Sequence, residues 1–421
     1  MKRLVALLLL LSLLLPALSS CGPDTPDAIL ILPGIMGSEL FLADDATFDD
    51  VSYEKGTKVW LDLDSVSQIL SADEHIAMLS YTSGCPIGAA EPLVNELNVR
   101  HTYGSLNTYA ALYRALYEAF HEICDVILYS YDWRYDPYDS ARELDAYLTE
   151  RGYDRVMLVA HSMGGLVASH FMAMGEEQRD KIHTYLSLGT PYLGSEQAAY
   201  VMATGNIDSF FANLLVSGAA KELCPSIDSM YALLPYGYRW RSSLAVYGLT
   251  DKTPAASFEE ERTLLQSYID GYVNRLHTKA EERKALLFTE DGQHISTLVN
   301  AYYLVGNGED TVATVNLPAR ASLGNSFITT DTAKDGDGLV SLYSATVGGT
   351  LPADRTFIKG TIGDRSADHG ALANGSDETN LDFAVAVLRG EVDAMSGFTL
   401  KSLYNIERGA PSFEESQGGT A

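Results

Sequence analysis

Residues 156–165 read V-M-L-V-A-H-S-M-G-G, and this stretch limits the possible folds more than any other. Val156 to Ala160 is a short apolar run, the pattern of a parallel strand buried on both faces. From Gly165 onward the apolar residues Leu166, Val167, Phe171 and Met172 take up helical spacing. Between the two, Ala160-His161-Ser162-Met163-Gly164 has the form A-x-S-x-G. A strand that turns sharply into a helix with serine at its apex is the context of a nucleophile elbow. Such a turn crowds the positions two before and two after the serine, so their side chains must be nearly absent. Ala160 and Gly164 meet that need, with alanine departing from the more usual glycine at the first. The expectation is an α/β chain with a doubly wound, mostly parallel sheet and Ser162 as nucleophile.

In this architecture the catalytic partners follow in the order serine, acid, histidine. His369 is the only histidine after residue 300, so the choice of Ser162 nearly forces it as the base. The acid stays open among Asp337, Asp335 and Asp310, with Asp337 favoured by its Gly-flanked loop beyond a late strand. Pro33-Gly34-Ile35-Met36-Gly37-Ser38 forms a tight loop after the strand Ala28 to Leu32. A loop there gives one oxyanion N–H and the residue after the nucleophile gives the other, which nominates the backbone of Ile35 and Met163. Tyr131-Asp132-Trp133-Arg134 ends the strand Asp125 to Tyr129, where a substrate rim lies in such sheets, although a pairing of Asp132 with Arg134 that fixes a loop is slightly favoured over substrate contact.

No cofactor or metal is expected. The loop from Asp331 fails as a calcium site, with Ala333 at the third position and Leu342 where the twelfth needs Glu, and no C-x-x-C spacing suggests zinc. A formal charge of -27 repels phosphate backbones and argues against nucleic-acid binding.

At the N-terminus, Lys2 and Arg3 precede a leucine-rich core from Leu4 to Leu15, too short to span a bilayer comfortably, which reads as a signal peptide over residues 1–20. Leu18-Ser19-Ser20-Cys21 resembles the lipobox of bacterial lipoproteins, implying lipid attachment at Cys21 and a place in the bacterial cell envelope, outside the cytoplasm. Residues 21–27 would then be the anchor and a short linker. The catalytic domain is expected over 28–408, with an insertion at about 41–100, a lid or cap at about 196–295, and a disordered tail at 409–421. The apolar residues Phe210-Phe211 and Leu214-Leu215-Val216 suggest a lid over a greasy pocket. Cys85, Cys124 and Cys224 cannot all pair within one chain, and Cys124 reads as a buried thiol.

Taken together, Pro33 to Ser38, Trp60-Leu61-Asp62-Leu63, Tyr131 to Arg134, the Ala-His-Ser-Met-Gly elbow, Leu188-Gly189-Thr190-Pro191, Asp337-Gly338 and His369 resemble the lecithin:cholesterol acyltransferase and lysosomal phospholipase family from about residue 28 to 390. The family's acid-to-base interval is close to the 32 residues that separate Asp337 from His369, which supports Asp337. The resemblance implies an α/β-hydrolase core, an acyl-serine intermediate, and transfer of a fatty acyl group from a glycerolipid to water or an alcohol at a membrane surface. Two other readings stay open: an esterase for short soluble esters, and a lipid-binding lipoprotein without activity. Nothing in the sequence points to a protein partner.

Overall fold

The computed structural model describes residues 25–42, 44–48, 51–60, 87–89, 109–206, 221, 223–236, 243–247, 252–319, 327–360 and 367–392. The signal peptide, Cys21, Leu61-Asp62-Leu63, Cys85, Phe210 to Val216 and the tail lie outside these residues.

Six strands form the central sheet: β1 (Ala28–Leu32), β2 (Asp125–Leu128), β3 (Val156–His161), β4 (Ile182–Leu188), β5 (Ala301–Gly306) and β6 (Thr356–Lys359). They run in the order β6-β5-β4-β3-β1-β2, and every neighbouring pair is parallel. β1 and β3 are buried along their whole length, as strands covered by helices on both faces must be. The chain passes from β1 outward to β2 and then returns to β3 on the other side of β1, so the sheet reverses its winding between β1 and β3. Ligands gather beyond the carboxyl ends of strands at such a reversal, and here Gly34 and Ser162 emerge side by side.

Helices α1 (Ala110–Phe120), α2 (Pro137–Arg151) and α3 (Met163–Ala173) follow β1, β2 and β3. α1 turns Leu112, Leu116 and Phe120 inward at helical spacing. Helix α2 starts at Pro137 because Asp136 caps it by accepting from the Tyr138 N–H at 2.9 Å and Pro137 occupies its first turn. The charged stretch 258–287 is two helices, Phe258–Tyr268 and Asn274–Ala285, separated by a turn with Gly271 at φ 74°.

A second sheet was not anticipated. Its order is Lys252–Pro254, Leu244–Tyr247, Glu309–Pro318 and Thr329–Gly336, so the cap region supplies two strands to it and the chain beyond β5 supplies a long hairpin. That hairpin ends at Gly336, which delivers Asp337 to the carboxyl ends of β4 and β5. The helix Asn274–Ala285 is fastened to α2 by Arg283, 3.2 Å from Asp136 and 2.8 Å from Asp139. Lys284 of the same helix is buried and donates to the Leu234 carbonyl at 2.5 Å.

Cys124 is half-buried and Cys224 buried, and both are free thiols. Burial pushes them up to about 11 and about 12 respectively, which leaves little thiolate for chemistry. Among the described residues, no helix is long and apolar enough to cross a membrane.

Candidate active site

Ser162 sits where β3 becomes α3, with φ 54° and ψ -128°. A residue with a Cβ at positive φ is strained, and the neighbours hold it there. Its N–H donates to the Leu188 carbonyl at 2.9 Å, and its carbonyl accepts from the Gly165 N–H at 2.9 Å. Both glycines after it are set by close approach. A Cβ on Gly164 would lie 2.3 Å from the Leu32 carbonyl oxygen and 2.6 Å from that of Pro33, while one on Gly165 would lie 1.9 Å from Thr190 Oγ1. The obstacle at Gly164 is backbone and cannot swing aside. Gly164→Ala is therefore expected to destabilise the fold by about 1–3 kcal/mol and lower the calorimetric Tm by several degrees; an unchanged Tm would contradict this packing.

Beyond β1, the Gly37 N–H closes a turn onto the Gly34 carbonyl at 3.1 Å, with Met36 at φ 62°. Gly34 lies so near the elbow that a Cβ there would stand 2.8 Å from Ser162 Cβ and 3.3 Å from its Oγ. The loop carrying Ile35 thus meets the serine directly, and Met163 is the first residue of α3. Tyr131 holds this loop from behind, donating its hydroxyl to the Pro33 carbonyl at 2.6 Å and its N–H to Ser38 Oγ at 3.2 Å.

The rim expected at Tyr131 to Arg134 is corrected. Tyr131, Asp132, Trp133 and Arg134 are all buried, and Asp132 meets Arg134 at 2.5 Å and 2.9 Å through two guanidinium nitrogens. The pair neutralises itself in the interior and stiffens the loop after β2, so these side chains brace the site instead of lining its mouth.

Asp337 and His369 meet at 2.7 Å between Oδ2 and Nδ1. The other carboxylate oxygen, Oδ1, accepts from the N–H groups of Leu339 at 3.0 Å and Val340 at 2.8 Å, and the His369 N–H donates to the Asp337 carbonyl at 2.8 Å. Asp310 pairs instead with Lys334 at the surface, and Asp335 lies within the preceding strand. Gly189, at φ 59°, makes room beneath the pair: a Cβ there would be 3.0 Å from Asp337 Oδ2 and 3.3 Å from His369 Nδ1. This accounts for the glycine of the Leu188-Gly189-Thr190-Pro191 motif. Burial pulls the His369 imidazole down, but the Asp337 carboxylate pulls it up further, so the ring sits above the ordinary histidine value.

His369 is set against the elbow through the residue before the serine. His161 bonds to the His369 carbonyl through Nε2 at 2.9 Å, and the two ring centroids are 4.7 Å apart. His161 Nδ1 lies 2.8 Å from the hydroxyl of Tyr109, which also accepts from the Gly34 N–H at 2.7 Å. Sequence reasoning passed over Tyr109, and no local signal marks a tyrosine at the start of a helix as a partner for a loop 75 residues away. Among the described residues, no group of three or more His, Cys, Asp or Glu could hold a metal ion.

Residues 99–301 match the family described as lecithin:cholesterol acyltransferase. A curated relative, the lysosomal phospholipase A and acyltransferase of Mus musculus, is 32% identical over 120 residues, which cover 26% of this chain. The matched region spans 28% of that relative's length. A chain in the crystal structure of the Tle4-Tli4 complex is similar in fold over 88% of this chain and 99% of its own, with a TM-score of 0.57 and 14% sequence identity. The parallel sheet and the strand-turn-helix at Ser162 agree with an α/β-hydrolase fold, and the sequence is similar to the lecithin:cholesterol acyltransferase family over residues 99–301 and to a lysosomal phospholipase over part of its length.

Proposed function

We propose that this protein is a serine-dependent lipid acyl hydrolase or acyltransferase that takes a fatty acyl group from a glycerolipid ester. The observation that carries the reading is the hydrogen-bonded Asp337–His369 pair, held through His161 against the strained turn that presents Ser162. His369 Nε2 takes the Ser162 proton as Oγ attacks the ester carbonyl, and Asp337 keeps the imidazole in the tautomer that makes this possible. The N–H groups of Ile35 and Met163 receive the oxyanion of the tetrahedral intermediate, each worth about 3 kcal/mol. The leaving alcohol departs with the proton from His369, and water or a second alcohol then releases the acyl group from Ser162.

The leader and Cys21 complete this reading at the membrane. Lipid on Cys21 would keep the catalytic body within about 20 Å of the bilayer, the extended length of residues 22–27. The partial sequence match to this lipid-acting family supports a lipid ester over a short soluble one.

The test is to incubate the protein with vesicles of mixed phospholipids and a long-chain alcohol, and to identify products by mass spectrometry. Lysophospholipid together with free fatty acid or fatty ester is the expected result. Turnover of monomeric short-chain esters with none of vesicles would favour the esterase reading, and failure to react with a fluorophosphonate would favour a non-catalytic lipoprotein.

A further inference from the structure

The hydrogen bonds around Tyr109 and His161 have only one consistent direction. The His369 carbonyl can only accept, so His161 Nε2 carries the proton at the 2.9 Å contact. In a neutral ring Nδ1 is then a bare acceptor, and it must receive the Tyr109 O–H at 2.8 Å. With its proton committed to His161, the Tyr109 oxygen accepts from the Gly34 N–H at 2.7 Å. The chain therefore runs Gly34 N–H to Tyr109 O–H to His161 Nδ1, and His161 Nε2–H to His369 C=O. Burial holds the His161 imidazole down at about 3, with the neighbouring His369 adding to the effect, so the ring stays neutral where an enzyme works. A charged ring would donate from both nitrogens and leave the phenol proton with no acceptor. The three side chains are enclosed: Tyr109 is 3%, His161 4% and His369 5% exposed.

We propose that Tyr109 and His161 form an ordered strut between the oxyanion loop and the catalytic histidine, acting as positioning residues for acyl transfer. The strut rests on the function proposed above and adds to it. It spans the two halves of the site that no covalent path joins closely: Gly34 follows β1, His369 lies beyond β6, and His161 stands between them on β3, next to Ser162. The Gly34 N–H, engaged by Tyr109, is not an oxyanion donor; its peptide instead orients the turn whose following N–H belongs to Ile35. A hydrogen-bonded chain in a buried setting is stiffer than its separate links. Stiffness here keeps the oxyanion donors and the base in register as charge develops between them.

Tyr109→Phe removes one oxygen and keeps the ring. The expected result is a kcat lower by about 10- to 100-fold, the cost of a small misplacement, measured per active site titrated with a fluorophosphonate on a soluble acyl ester. KM should stay within about twofold, because the strut touches no substrate group. His161→Leu should lower kcat similarly, and the double variant should be little worse than either single one, since both break one chain. An unchanged kcat in Tyr109→Phe, or additive losses in the double variant, would overturn the strut while leaving the serine reading intact. A wild-type protein that no fluorophosphonate labels would remove the serine reading and the strut together. The wild type provides a second test that needs no variant to fold. In a sample with 15N-labelled histidine, the nitrogen shifts should show His161 as the neutral Nε2–H tautomer from pH 8 to 5, and an Nδ1–H tautomer or a titrating ring would refute the assignment.

Discussion

Ser162→Ala is expected to fold and to lose turnover of fatty-acyl esters, with kcat reduced by at least about 10⁴-fold, since removal of the nucleophile in a serine hydrolase costs up to about 10⁶. Alanine has the same backbone demands as serine at φ 54°, and the turn is held by main-chain bonds from Ser162 N–H to Leu188 and from Gly165 to the Ser162 carbonyl. Those bonds survive the change, so the Tm should move by no more than a few degrees. The residual rate would come from the oxyanion donors and substrate binding alone. Steady-state kinetics on vesicles, with circular dichroism to confirm folding, reads both quantities. A folded variant with more than a few per cent of wild-type activity would show that another group attacks the ester.

Asp337→Asn should be nearly as damaging, for a reason visible in the hydrogen bonds. Oδ1 of Asp337 accepts from two backbone N–H groups, Leu339 and Val340, at 3.0 and 2.8 Å. Asparagine must place its carbonyl oxygen there, because its amide nitrogen would set donor against donor. Its NH₂ then faces His369 Nδ1, which becomes an acceptor, and the imidazole proton moves to Nε2, where the serine needs a base. The wrong tautomer of this kind lowers kcat by about 10⁴ in serine proteases, and a comparable loss is expected here. The pH profile supplies an independent reading. The proposed mechanism needs a neutral His369, so kcat/KM is expected to fall as pH falls through the value of that ring. With Asp337 pulling the ring up, the wild-type acidic limb should lie above the ordinary histidine value of about 6.5. In Asp337→Asn the upward pull of Asp337 is gone, leaving burial against the weaker pull of Asp368, so the limb of the residual activity should shift toward acid. A limb that stays in place would mean that His369 is not the titrating base.

Much of this site was legible in sequence because its geometry is local. The elbow occupies five consecutive residues, and the crowding of strand against helix acts directly on residue size at Ala160 and Gly164. The proposed base followed from chain order, since one histidine remained after residue 300. The fold class followed from the same stretch, where a fully apolar strand runs into a helix. Other features were hidden for definite reasons. The hairpin Glu309–Pro318 and Thr329–Gly336 lies partly on the surface, and its mixed polar sequence Thr329 to Gly336 shows no apolar alternation. Tyr131 to Arg134 has the composition of a binding rim, yet Asp132 and Arg134 satisfy each other and are buried.

Sequence alone determined the pieces whose physics acts between near neighbours: the strand, the sharp turn, the serine at its apex and the small residues around it. Only the folded structure decided that Asp337, and neither Asp310 nor Asp335, meets His369. It also decided that Tyr109 reaches Gly34 across 75 residues and that His161 reaches the His369 carbonyl across 208. A hydrogen bond between distant residues needs only a donor and an acceptor brought within about 3 Å. Many side chains could serve as either, so nothing in their own neighbourhood records which pair the packing of the sheet will join.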